Sequence, residues 1–233
     1  MQYLNPYIEL CIEGSPSIFK GINQKDKEAL IQHHSYAIIK KNQYLFKEGE
    51  KPKGMVCIAS GKVKVFKEGV GGRAQILKML RPHCFIGYKA LFSDSPWPFS
   101  AIAIEDTAIC IFDKSSFVKM LKKNPDLSIK LMKTITDELA YANTRIVSLT
   151  QKHIRGRLAE SLIILRDTYG YEADGRTIKV TLSREDIAHL SNMTTSNAIR
   201  TLSNLAAEGI IEISGRKISI IESHHLEHIN EMG

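Results

Sequence analysis

The hydrophobic pattern changes period along the chain. Between about residues 18 and 118 the apolar positions come in short runs, with Val63 and Val65 alternating against Lys62 and Lys64. Gly49, Gly54, Gly61, Gly69, the pair Gly71-Gly72 and Gly87 interrupt these runs. Residues 76–80 form a further run after the double glycine, which predicts a hairpin with a loose tip. Many short strands at such spacing predict an antiparallel barrel or jelly roll.

Asn124-Pro125-Asp126 then opens a long helix, proline suiting the first turn. Met132, Ile135, Leu139, Ala142, Ile146 and Leu149 recur at alternating threes and fours, the seam of two paired helices. Lys133, Asp137, Glu138, Asn143 and Arg145 flank that seam and read as solvated; the same stripe could instead pack on the chain's own β domain. After a polar Thr150-Gln151-Lys152 junction, a candidate hinge, a second helix over residues 153–169 buries Ile154, Leu158, Leu162 and Leu165.

Residues 183–211, SREDIAHLSNMTTSNAIRTLSNLAAEGII, have the spacing of a helix-turn-helix. Ser183 and Asp186 form an acidic capping box, and Ile187, Ala188 and Leu190 face inward. Ser191 and Asn192 break that helix. Thr194 caps a second one whose inward residues are Ala198, Leu202 and Leu205. Its polar face, Thr195, Ser196, Asn197 and Arg200, offers groups that hydrogen-bond base edges or phosphates. Ile199 lies off the buried stripe. Past Gly209, alternation on either side of Ser214-Gly215 predicts a wing with Arg216 and Lys217 at its tip, and residues 177–182 supply another short β run.

These positions resemble the Crp/Fnr family of bacterial transcription regulators. Ser183, Arg184, Asp186, Ile187, Ala188, Thr194, Arg200, Leu202, Leu205, Gly209 and Ile211 follow its winged-helix pattern, with Asn197 in place of a threonine. YLFKEGEKPKGMVCIASGKVKVFKEG followed by MLRPHCFIGYKALF resembles the family's cyclic-nucleotide-binding β-roll. The resemblance implies an α+β chain: a jelly-roll-like sensor over residues 1–123, a dimerisation helix and hinge over 124–150, and a winged helix-turn-helix over 151–233. It implies that Arg184, Thr194, Thr195, Ser196, Asn197, Arg200, Arg216 and Lys217 meet DNA, and that the seam makes a homodimer on a pseudo-palindromic operator. RNA polymerase and a small-molecule effector are further candidate partners.

The effector cassette of that family reads F-x-G-E and, some residues on, R-[ST]-A, a carboxylate for the ribose hydroxyl and a guanidinium for the cyclic phosphate. Here Tyr88 stands at the carboxylate position and Phe99 at the guanidinium position. The expectation is therefore no cyclic-AMP response, with Tyr88, Lys89, Phe99 and Ser100 left to form a pocket for an aromatic or anionic metabolite, or Trp97 and Phe99 plugging it.

Charge and cysteine usage refine this picture. The net charge is +7, yet residues 150–233 carry ten Lys and Arg against eleven Asp and Glu, so the basic excess lies in residues 1–149. DNA binding therefore rests on a few placed cations, which predicts a modest salt dependence. Cys11, Cys57, Cys84 and Cys110 lack C-x-x-C spacing and read as buried or idle thiols rather than a disulfide frame or cluster ligands. A haem or redox sensor using His83, Cys84 or Cys11 is one alternative, and a winged helix that contacts protein is another. His224, His225 and His228 read as a solvated tail and His189 as a surface residue. No cofactor and no enzymatic motif is expected, and the lack of a signal peptide or an apolar span predicts a cytoplasmic protein with no membrane partner.

Overall fold

The computed structural model describes residues 5–14, 17–93 and 95–233. The chain divides into two units. One comprises Met1–Lys67 and Lys78–Leu139, the other Glu68–Leu77 and Ala140–Gly233.

The first unit is a double-layered β-roll. One sheet has the order β1 (His34–Ile39), β8 (Thr107–Asp113), β3 (Gly54–Ser60), β6 (Phe85–Ile86). The other runs β2 (Tyr44–Phe46), β7 (Ser100–Ala103), β4 (Val63–Glu68), β5 (Ala74–Leu80). β3 shows why its sequence is a continuous apolar run. Val56 and Ile58 point between the sheets, while Met55, Cys57 and Ala59 point to a layer of helices on the other face. Both faces are covered, so the period-two signal disappears.

That helical layer consists of α1 (Pro6–Glu13), α2 (Gln24–Gln32), α3 (Tyr88–Phe92), α4 (Lys114–Lys123) and the start of α5 (Pro125–Gln151). Residues 24–32, inside the stretch read as β runs, are thus helical. Asn23 explains the difference: its side chain accepts the Asp26 amide at 2.9 Å and starts the helix. α1 begins the same way, with Asn5 capping Tyr7 and proline next in the chain. The predicted hairpin is β4–β5; its tip is not loose but a 3-10 turn over Val70–Gly72, closed by the Gly69 amide on the Arg73 carbonyl at 2.9 Å, with Gly71 and Gly72 at positive φ.

Leu127 and Leu131 of α5 are buried and Ile135 packs on the same core, so Ile135 serves its own chain rather than the seam. Met132, Leu139 and Ile146 are 54%, 61% and 62% exposed, and Ala142 is exposed as well. Two residues read as solvated flanks are engaged: Glu138 accepts from Lys78 at 2.5 Å, and Arg145 is buried.

In the second unit α5 continues to Gln151, His153 caps α6 (Ile154–Tyr169), and α7 (Arg184–Leu190) and α8 (Thr195–Ala207) follow. β9 (Ile211–Ser214) and β10 (Lys217–Ile220) make the wing. Ser214 pairs with Lys217, so the two-residue turn is Gly215-Arg216, one position later than expected, with Gly215 at φ 59. Residues 177–182 do not form a strand. They meet β10 at an isolated bridge from Thr177 to Ser219, whose hydroxyls are 2.7 Å apart, and the ladder stops there because the Val180 amide turns back to the Ile178 carbonyl at 2.8 Å. His224, His225 and His228 are exposed, and they lie on α9 (Ser223–Met232), which buries Leu226 and packs on α6. Gly156 of α6 permits this, since a Cβ there would lie 2.7 Å from the Gly233 backbone.

Candidate functional site

The helix-turn-helix is held by hydrogen bonds that the sequence announces. Ser183 Oγ accepts the Asp186 amide at 2.9 Å and donates to its carboxylate at 2.9 Å, the capping box of α7. At the turn Ser191 is fully buried and donates to the Ile187 carbonyl at 2.9 Å. Asn192 takes the left-handed conformation, φ 50, which asparagine tolerates better than most residues. Its carbonyl accepts from Arg157 at 2.9 Å, and the Met193 amide bonds the Ala188 carbonyl at 3.0 Å. Thr194 Oγ1 then accepts the Asn197 amide at 3.3 Å and opens α8.

α8 buries Ala198, Leu202 and Leu205 and presents Thr195, Ser196, Ile199 and Arg200 to solvent. Arg200 Nη2 donates to Asn197 Oδ1 at 3.0 Å, which holds the guanidinium beside the first turn. Arg216 and Lys217 are exposed at the wing turn. Arg184 Nη2 donates to the Gly215 carbonyl at 2.8 Å and ties α7 to the wing, leaving its Nη1 without a protein partner.

The first unit carries the second candidate site. Tyr88 opens α3 beside Gly87, and its hydroxyl faces the Glu138 carboxylate; burial, then Glu138, pushes the phenol's pKa upward. Glu138 in turn is paired with Lys78. Phe99 packs with Phe46 and Trp97, ring centroids 6.2 Å away in each case. Ser100 Oγ accepts the Glu48 amide at 2.9 Å, while Lys89 is exposed. Of the four pocket residues expected, three are thus committed to internal contacts. Glu138 was missed as a participant because its heptad position resembles a solvated flank.

His83 Nδ1 bonds the Leu10 carbonyl at 2.7 Å. Cys11, Cys57 and Cys110, distant in sequence, are all buried in one core, Cys57 and Cys110 directly opposite across β3 and β8. Among the described residues no group of three or more His, Cys, Asp or Glu is placed to hold a metal ion. Among those residues no helix is long and apolar enough to cross a membrane.

Residues 38–124 match the cyclic nucleotide-binding domain family, and residues 156–229 match the Crp-like helix-turn-helix domain family. The chain belongs to the Crp/Fnr family of DNA-binding transcriptional regulators. It is 26% identical over 211 residues to the CRP-like cAMP-activated global transcriptional regulator of Mycobacterium tuberculosis, covering 90% of this chain and 94% of that one. It is 29% identical over 177 residues to the anaerobic regulatory protein of Bacillus subtilis, covering 75% and 74%. Among solved structures, FixK2 from Bradyrhizobium japonicum superposes with a TM-score of 0.76 at 24% identity, over 84% of this chain and 97% of that one. A Crp/Fnr-family regulator from Eubacterium rectale superposes at 0.72 and 18% identity, over 90% and 95%, a likeness of fold. The order of roll, long helix and winged helix is that of these relatives.

Proposed function

We propose that this Crp/Fnr regulator acts as a homodimer on a pseudo-palindromic operator and does so without cyclic AMP. The observation that carries the second half is at the cassette. Tyr88 and Phe99 replace the acid and the arginine, and the carboxylate that faces Tyr88, Glu138, is neutralised by Lys78. A hydrogen bond to a charged group is worth about 1.5–3 kcal/mol. Losing two weakens a nucleotide by roughly a hundredfold to ten-thousandfold. The Mycobacterium tuberculosis relative is named as cAMP-activated; the present chain keeps its scaffold and has other chemistry at these two positions.

Homodimerisation is supported by Met132, Leu139 and Ile146 along α5, large apolar groups left in water beside the small, exposed Ala142, on a helix whose other face is already packed. Leu149, half-buried, ends that seam. Two recognition helices about one DNA turn apart, roughly 34 Å, then read half-sites through Thr195, Ser196 and Arg200. Thr194 and Asn197 shape the helix start. Arg184, Arg216 and Lys217 serve phosphates, and so few cations per subunit give a shallow salt dependence.

Calorimetry of the purified protein with cyclic AMP and cyclic GMP tests the reading. No heat of binding is expected at micromolar nucleotide, and a micromolar dissociation constant for either would overturn it.

A further inference from the structure

The β-roll holds a cavity of about 260 Å³ between β1, β2, β3 and β8. Ala37, Ile39, Leu45, Val56, Ile109 and Ile111 wall it. Phe46 and Trp97, stacked with centroids 3.9 Å apart and planes 12° from parallel, contribute an aromatic floor. Trp97 fits there because Gly87 carries no side chain; a Cβ would lie 2.7 Å from the indole Cη2. None of Tyr88, Lys89, Phe99 and Ser100 lines this space.

The chemistry of the cavity is two-sided. The side chains that wall its interior are apolar, and an unpartnered polar group set against them would be costly. Its rim is Glu50, Lys51 and Lys53. The Glu50 carboxylate is engaged by the Lys47 amide at 2.9 Å, whereas the two ammonium groups are exposed and form no ion pair among the described residues. The rim therefore favours an anion, and the interior an uncharged body. At about 30 Å³ for each water-sized group, the volume admits roughly nine non-hydrogen atoms.

We propose that this cavity binds a small monocarboxylate, its apolar body against the Phe46–Trp97 floor and its carboxylate at Lys51 and Lys53. Trp97 is the chain's one tryptophan, so its emission reports on the site directly. The full chain is titrated with benzoate, with hexanoate and with neutral benzyl alcohol. Expected is a saturable change in tryptophan emission with a carboxylate, at a dissociation constant on the order of 0.1–1 mM for so few atoms, and at least roughly threefold weaker binding of the alcohol. Benzoate against hexanoate tells a flat body from a flexible one, and binding of either supports the site.

Lys51→Gln/Lys53→Gln, both surface changes, should weaken the carboxylate about three- to tenfold. Ala37→Leu should abolish saturation by filling the cavity; if that variant does not fold, the lysine pair decides alone. No saturable change with either carboxylate, equal binding of the alcohol, an unchanged constant in the double lysine variant, or undiminished binding in a folded Ala37→Leu each overturns the proposal.

Discussion

Arg145 of α5 and Glu160 of α6 form an ion pair of 3.1 Å, with side chains only 7% and 11% exposed. Arg145 also donates to the Leu190 carbonyl at 2.8 Å, where α7 ends, and the Lys152 ammonium stands 3.7 Å from Glu160. The polar junction between the two helices, read from the sequence as a hinge, is thus spanned by a buried charge network. A hinge that moves must carry this network with it.

Breaking the pair from one side leaves a buried charge without a partner, which costs about 3–5 kcal/mol. Glu160→Ala should lower the melting temperature by roughly 6–20 °C for a chain of this size. Arg145→Met with Glu160→Leu should recover part of that loss. Differential scanning calorimetry checks both, and a drop below about 2 °C in Glu160→Ala would show the network to be energetically idle.

Leu139 is a large apolar side chain in the middle of the exposed α5 stripe. Placing a charge there opposes like charge on a second copy. Sedimentation velocity of Leu139→Glu should give a monomer where the wild type gives a dimer, with the circular dichroism spectrum unchanged. A wild-type monomer at micromolar concentration would refute the dimer.

Arg200 and Lys217 should differ in kind. Arg200→Ala is expected to cost about 1–3 kcal/mol on the preferred operator and to relax choice at one base pair per half-site. Lys217→Ala should weaken all sequences alike and make the salt slope shallower. Fluorescence anisotropy on operator and scrambled duplexes separates them; uniform weakening by Arg200→Ala would make that residue a phosphate contact.

The thiols of the β-roll core should be chemically quiet. Burial pushes the Cys57 thiol's pKa up, and its neighbour Cys11, with burial, does the same to Cys110. Thiolate is the reactive form, so native alkylation read by mass spectrometry should modify Cys84 and spare the other three. Rapid modification of Cys57 or Cys110 in the folded protein would revive a redox role.

How much of this was legible beforehand followed the range of the signals. α7, the turn and α8 are written locally in Ser183, Asn192, Thr194 and the spaced leucines, so sequence alone located them. The β4–β5 hairpin and the α5 helix were equally plain. α1 and α2 escaped notice because each is short, and only Asn5 and Asn23, as caps, mark their starts. The third wing strand failed because the Val180 amide folds back onto the Ile178 carbonyl and ends the ladder after one bridge, which the alternation of side chains does not record. Arg145 and Glu138 were misread for a related reason: a charged residue at a flanking heptad position looks the same whether it meets water or a distant partner. Cys11, Cys57 and Cys110 converge only through strand pairing and helix packing.

The most direct measurement is a selection of genomic fragments by the purified protein at near-physiological salt, without added nucleotide, followed by sequencing of the bound DNA. A symmetric motif with half-sites about one helical turn apart is the predicted result. Enrichment that arises only when cyclic AMP is supplied, or no enrichment with or without it, would contradict a dimeric regulator that reads its operator unaided.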